Sequence, residues 1–133
     1  MVLIYTANGT AICEQRLVCG KLFIQETRDI EELYGLKSGV GDIESGEVAI
    51  DIDRLRDFVK GLLISIDGSN NRTVAVLLGG YIAIAIDILR ASGDRCDLPG
   101  VVVADPIRGA LTEFEMGSNL RAVHQKGPTP KQL

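Results

Sequence analysis

The segment from Val74 to Ile86, VAVLLGGYIAIAI, contains no charged side chain and constrains the fold of this chain more than any other feature. It is too short to cross a bilayer, which takes about 20 residues. Asp87 follows it directly, and Arg90 comes one turn later. We therefore expect this segment to be buried inside the protein, and we expect no association with a membrane.

Two structures are compatible with the longer segment from Thr73 to Ser92. As a helix it would be apolar on nearly all sides, and Gly93 would supply a left-handed C-terminal cap. As a hairpin it would turn at Gly79–Gly80. Two observations favour the hairpin: the Ile-Ala-Ile-Ala alternation, and the cost of about 2 kcal/mol, relative to alanine, of two glycines inside a helix. We predict the helix, because the segment is long and follows a cluster of polar capping residues.

A second helix is predicted from Asp53 to Ile66. Its apolar residues recur with the i, i+3, i+4, i+7 spacing of an amphipathic helix, and Asp53 is a favourable N-cap. Phe58 and Leu62 lie on the apolar stripe. We therefore expect both side chains to be buried.

The beginning of the chain has the pattern of paired strands. Asn8-Gly9, the strongest short hairpin signal, separates the runs VLIYTA and TAICEQRLV. After Cys19-Gly20, the run KLFIQET continues as a predicted third strand. The segment from Glu47 to Ile52 alternates apolar and polar residues and predicts a half-buried strand.

The segment between these strands predicts a short helix from Thr27 to Leu36, because Asp29 and Glu32 have the spacing of a capping box. The stretch KSGVGDIESG that follows has the composition of a loop. Near the other end, VVVAD and LTEFEM predict two short strands. The order of elements indicates an α+β fold, a mainly antiparallel sheet with two helices packed on one face. We predict a single domain over residues 1–126 and a flexible tail over residues 127–133.

Charge and residue types exclude several functions. With 14 basic and 18 acidic side chains the net charge is -4, which disfavours binding to nucleic acid, because that depends on Lys and Arg. Nucleophilic catalysis needs a base beside the serine or cysteine, but the only histidine, His124, lies near the predicted tail, and the sequence contains no GxSxG motif. We therefore predict a non-enzymatic protein with no catalytic residue, no metal site and no cofactor. An odd number of cysteines and the absence of a signal peptide favour the cytoplasm.

Acidic residues are concentrated in the middle of the chain, at Asp42, Glu44, Glu47, Asp51 and Asp53. They do not match a calcium loop, which needs glycine at its sixth position and glutamate at its twelfth. One interpretation is a solvated face that keeps the protein in solution. The other is a docking surface for a basic protein, with the following binding residues: Asp42, Glu44, Glu47 and Asp51. Complementary charge would raise the association rate and select the partner.

The segment from Asp51 to Gly93 resembles the paired-helix half of several bacterial immunity proteins, which neutralise toxins of contact-dependent growth inhibition and related polymorphic systems. Small size, acidity and the α+β order of elements extend the resemblance. It implies a cytoplasmic protein whose partner is a cognate toxin domain, of the basic nuclease type. Two alternatives remain open: a small enzyme with a carboxylate or metal site between Asp42 and Asp53, and an oligomerising regulatory module with the Thr73–Ser92 helix at its interface.

Overall fold

The computed structural model describes residues 1–69, 71–93 and 121–122. Its elements are, in chain order, β1 (Val2–Ala7), β2 (Thr10–Arg16), α1 (Leu17–Tyr34), β3 (Val40–Glu44), β4 (Glu47–Ile50), α2 (Ile52–Ser69), α3 (Arg72–Ala91) and β5 (Arg121–Ala122). This is the predicted α+β architecture. The predicted strands VVVAD and LTEFEM, the tail over residues 127–133 and His124 lie outside the described residues.

The strands form one sheet in the order β3-β4-β1-β2-β5. β1 pairs antiparallel with β2, β2 with β5, and β3 with β4, but β1 and β4 run parallel. The sheet is therefore mainly antiparallel, as predicted, but mixed, because its central pair is parallel. The parallel pairing is possible because α1 carries the chain between the two hairpins, which a tight turn cannot do.

Both hairpins turn on two residues with positive φ. Asn8 and Gly9 have φ of 53° and 79°, as the Asn-Gly signal predicts. Ser45 and Gly46 have φ of 53° and 77° and join β3 to β4. The loop predicted for this region was therefore wrong in part, because it contains a strand. Its glycine and aspartate are depleted in strands, which hid the pattern.

The predicted third strand, KLFIQET, was wrong, since it lies inside α1, and the predicted short helix is the second half of that same helix. The buried residues of α1 follow the period of a helix: Gly20, Phe23, Ile24, Thr27 and Ile30. Gly20 suggested a break, but it is the point of closest approach to the sheet. A Cβ atom there would lie 2.5 Å from Cδ2 of Leu3.

The two remaining helices agree with the sequence in type, and their ends are explained by capping. Asp51 caps α2, since its Oδ1 accepts a hydrogen bond from the Arg54 N–H at 3.2 Å, so the predicted cap at Asp53 is displaced by two residues. Asn71 caps α3 through the Val74 N–H at 3.1 Å. α3 is one continuous helix, and the alternative hairpin at Gly79–Gly80 was wrong.

Four aromatic rings connect the sheet to all three helices. Tyr5 of β1 meets Phe23 of α1 edge-on at 6.1 Å between centroids. Phe23 stacks on Tyr81 of α3 at 4.7 Å, and Tyr81 meets Phe58 of α2 edge-on at 6.2 Å. Phe58 and Leu62 are buried, as predicted. Three helices, rather than the predicted two, therefore pack on one face of the sheet.

Hydroxyl groups within this aromatic core are paired. Thr27 donates to the Phe23 carbonyl at 2.7 Å, so the Tyr81 hydroxyl donates to Thr27 Oγ1 at 2.8 Å. The Tyr5 hydroxyl donates to Oε1 of Gln15, also at 2.8 Å. Each buried hydroxyl therefore avoids the penalty of a lost hydrogen bond, which is about 1–3 kcal/mol.

By length and composition alone, α3 could cross a membrane, with a mean hydropathy of 1.9 over an 18-residue window. In the fold, 56% of that window is buried, and Tyr81, Ile82, Ile88 and Leu89 are almost completely enclosed. α3 is therefore a core helix of a small domain and not a clear membrane span, as the uncharged segment from Val74 to Ile86 predicts.

We expect the Phe58→Ala substitution to lower the free energy of unfolding by about 3–5 kcal/mol, because it leaves a cavity beside Tyr81. Ile64→Ala on the same helix is the matched control, since Ile64 is 57% exposed and should cost less than about 1 kcal/mol. Urea titration of both variants measures the difference. A loss below about 1 kcal/mol for Phe58→Ala would contradict the aromatic packing.

We expect Gly20→Ala to destabilise the protein by about 1–3 kcal/mol, because the new methyl group would overlap Leu3. In Gly61→Ala, a matched change inside α2, the new methyl group meets only Cδ1 of Leu36, at 3.4 Å. That variant should gain up to about 1 kcal/mol from helix propensity. Thermal melting compares the two, and equal stabilisation by both would contradict the close approach of α1 to β1.

Candidate functional site

The face of the sheet opposite the helices is the candidate site, and we call it the open face. Leu3 and Tyr5 of β1 point toward the helices and are buried, so Ile4 and Thr6 between them point to the other side. The same alternation places the following residues on the open face: Glu14 of β2, Glu44 of β3, and Glu47 and Ala49 of β4. None of the three described helices packs there.

One transverse row of this face carries three carboxylates. Glu44 lies directly opposite Glu47, Glu47 is the neighbour of Ile4, and Ile4 is the neighbour of Glu14. Beyond Glu14, the row ends at Arg121 in the fifth strand. We call Glu44, Glu47 and Glu14 the acidic row. Two of its members face each other across neighbouring strands with no base between them.

The Glu44–Glu47 pair is unfavourable for folding. Residues directly opposite on antiparallel strands have Cβ atoms about 4.5–5.5 Å apart, and like charges there destabilise a sheet. Among the described residues, neither glutamate forms an ion pair. Other acids of the region do: Asp42 with Arg28 at 3.0 Å, Asp51 with Arg54 at 3.4 Å and Asp53 with Arg56 at 2.8 Å. The pair is thus left without a described counter-charge where its neighbours have one.

The hairpin that carries this pair also forms a shallow cavity of about 230 Å³. Its lining residues are Thr6, Gly41, Asp42, Glu44, Glu47 and Ala49. The structure therefore brings together Asp42, Glu44 and Glu47, three of the four predicted binding residues. Glu14 joins them through the sheet register, and sequence analysis missed it. No local sequence signal marks Glu14, because only the pairing of β1 with β2 and β4 places it in the row.

Asp51, the fourth predicted residue, lies apart from this surface. It caps α2 and lines a different, larger cavity of about 590 Å³ with Asn8, Gly39 and Asp53. The cavity lies where the parallel strands β1 and β4 end. The carboxylates between Asp42 and Asp53 therefore lie on two separate surfaces. Asp51 and Asp53 form ion pairs with arginines of α2.

A polar network fastens the acidic hairpin to α1. Arg28 donates to the Gly41 carbonyl at 2.8 Å and to Asp42 at 3.0 Å, and its other nitrogen donates to Glu31 at 3.1 Å. Oε2 of Glu31 accepts from both the N–H and the hydroxyl of Ser38, at 3.0 and 2.7 Å. Burial raises the pKa of Glu31, but the hydrogen bonds from Ser38 and Arg28 outweigh it and lower the pKa overall. The network holds the strand with Asp42 and Glu44 in a fixed position.

Two kinds of reactive group can be examined in the part of the chain that the structure describes: metal ligands and cysteine thiols. No group of three or more His, Cys, Asp or Glu residues there is placed to hold a metal ion. Burial, and to a lesser extent Asp87, raises the pKa of Cys13 to about 12, so its thiol is protonated at neutral pH and is not a nucleophile.

We expect Glu31→Gln to lower the free energy of unfolding at pH 7 by about 1–3 kcal/mol, because it removes a charged acceptor. The folded pKa of Glu31 is lowered, so the carboxylate stabilises the fold above its unfolded pKa of about 4.3. That contribution is lost as the pH falls through the folded pKa.

The difference between wild type and Glu31→Gln should therefore shrink below about pH 4. Urea titrations at pH 7, 5 and 3 test this, with Glu32→Gln as the exposed neighbouring control. A difference that is constant over this range would show that the charge of Glu31 is not what holds the hairpin.

Residues 1–127 match the model of a protein family of unknown function, DUF6086. No curated protein and no solved structure matches the chain. The resemblance to immunity proteins is not tested by these comparisons and stays a prediction.

Proposed function

The chain belongs to the DUF6086 family, whose function is unknown, and we propose that it is a binding protein that docks a basic protein on its open face. The observation that carries this proposal is the Glu44–Glu47 pair, which has no described counter-charge. A Lys or Arg of a partner placed between the two carboxylates would relieve their repulsion. Repulsion between the two carboxylates lowers the free energy of unfolding of the free protein, and a partner's positive charge would remove this repulsion in the complex.

The surroundings of the acidic row favour a protein partner over a small cation. Ile4, Thr6 and Ala49 are uncharged, and Ile4 and Thr6 are half-buried, so they offer a flat, weakly polar area between carboxylates. Interfaces commonly combine such a centre with a charged rim. Rim charges act on the association rate and on the choice of partner.

The partner that we propose is a basic toxin domain, and the chain would act as its immunity protein in the cytoplasm. The paired helices α2 and α3 agree with the element order on which this resemblance rests. The acidic net charge of -4 suits a basic nuclease domain. An inhibitor needs no catalytic group, since it acts by covering the partner's active site.

The first experiment asks which surface contacts a partner in the cell. A photocrosslinking amino acid replaces Ala49 on the open face or, as a control, Ser65 on the exposed side of α2. We expect crosslinks from position 49 to a basic protein, and none to that protein from position 65. A toxin domain encoded beside this gene is the expected product. Equal crosslinking from both positions would contradict docking on the open face.

The second experiment measures the energetic role of the acidic row. We expect the double variant Glu44→Gln/Glu47→Gln to slow association with the crosslinked partner about tenfold at low salt, with a smaller effect at high salt. The variant should fold at least as stably as wild type, because it removes a like-charge pair.

The matched control is Asp57→Asn/Asp67→Asn, which removes the same charge from exposed positions of α2. If it slows association equally, net charge and not the open face directs binding. If neither variant changes the kinetics while a small substrate is turned over, the alternative of a carboxylate enzyme near Asp51 and Asp53 gains support.

A further inference from the structure

The outward side of α1 is apolar although it faces solvent. Val18, Leu22 and Leu33 are 70%, 66% and 80% exposed. The opposite side of the same helix is buried against the sheet and α3 through Phe23 and Thr27. α1 is therefore apolar on two sides, and only one side contributes to the core.

The exposed residues form a continuous strip along the helix axis, which we call the outer strip: Val18, Leu22, Gln25, Asp29 and Leu33. Their spacing of four, three, four and four residues keeps them on one side of a helix. α1 has 18 residues, so it is about 27 Å long. Polar Gln25 and Asp29 occupy the middle, with apolar residues on both sides of them.

The order of residues in the outer strip is self-complementary. If a second α1 lies antiparallel and the two helices cross at the level of Thr27, Leu22 lies within one residue of the level of Leu33 of the partner subunit. Gln25 then meets Asp29 of the partner subunit, which its amide can contact as a donor. Lys21, at the edge of the strip, lies within one residue of the level of Glu32 of the partner subunit, and both lie on the same edge of the contact. Each of these contacts occurs twice in a two-fold arrangement.

We propose that a second copy of this chain docks on α1 through the outer strip, antiparallel and with two-fold symmetry. The strip is complementary to a second strip that runs in the opposite direction. Only binding to a second copy of the chain would require this property. Lys21, Gln25, Asp29 and Glu32 are exposed. Among the described residues none of them takes part in an ion pair, and Asp29 lies near a like charge, the carboxyl of Glu26. They are therefore free to make the contacts that the antiparallel arrangement offers.

The size of the contact sets its strength. Stable protein interfaces bury about 1,200–2,000 Å², and a single pair of helices of this length buries less. The dimer is therefore weak and forms at high protein concentration. The outer strip is a different interface from the one on α3 that the sequence suggested for an oligomerising module.

Dimerisation through α1 is independent of the function proposed for the open face. α1 packs on the opposite side of the sheet, so both copies keep their acidic rows uncovered. Failure of one proposal leaves the other intact, and variants at Leu22 and at Glu44 separate them.

The first experiment is sedimentation of the full chain from about 10 µM to 1 mM. We expect a shift from monomer to dimer, and Leu22→Gln/Leu33→Gln should weaken the dimer at least about thirtyfold. Ile64→Gln, a matched change at an exposed apolar position of α2, should leave the dimer unchanged. A monomer at every concentration would overturn the proposal, and so would a dimer that the double variant does not affect.

The second experiment tests the antiparallel register. Lys21→Glu and Glu32→Lys should each weaken the dimer about three- to tenfold at low salt, and combining them in one chain should restore it. A combined variant weaker than either single one would overturn the register. Thermal melting controls for folding: if Leu22→Gln/Leu33→Gln lowers the midpoint by several degrees at 10 µM, the strip is covered within one chain and the proposal fails.

Discussion

The fold depends on the stack of four aromatic rings that joins the sheet to its helices. Phe23 lies flat on Tyr81, and the edges of Tyr5 and Phe58 close the two ends. Gly20, one turn before Phe23, lets α1 approach β1 closely beside this stack. The stack draws α1, α2 and α3 to the same side. The opposite side of the sheet is left without a described layer, and that asymmetry creates the candidate site.

Local signals were sufficient for much of this fold. The Asn8-Gly9 turn, the apolar stripe of α2 and the uncharged run of α3 each predict their element, because a short stretch of sequence carries the whole signal. For α1, local signals did not predict the element correctly. Its glycine suggested a break, and its outward leucines obscured the helical period, since a helix that is apolar on two sides does not show a single stripe. A contact between distant segments, Gly20 on Leu3, decided the structure there.

The candidate site shows the same division between local and distant information. Asp42, Glu44 and Glu47 are close in sequence and were found as a group. Glu14 was missed, because only the register of β1 with both β2 and β4 places it in the same row. Asp51 is equally close in sequence but lies apart, since it caps α2. Proximity in the sequence groups acidic residues together, but strand register decides which of them share a surface.

The two surfaces differ in the force that would hold a partner, and salt separates them. The proposed binding on the acidic row is electrostatic. Dissolved ions screen such attraction over a Debye length of about 8 Å at physiological salt, so added salt should weaken the binding. The proposed contact through Leu22 and Leu33 is mainly apolar, so added salt should change it little. A dimer would carry two acidic rows on one particle, so a partner with two basic patches would bind it with an effective concentration that a monomer cannot provide. The weak contact between two α1 helices would then raise the affinity for such a partner, although no residue of α1 would touch the partner.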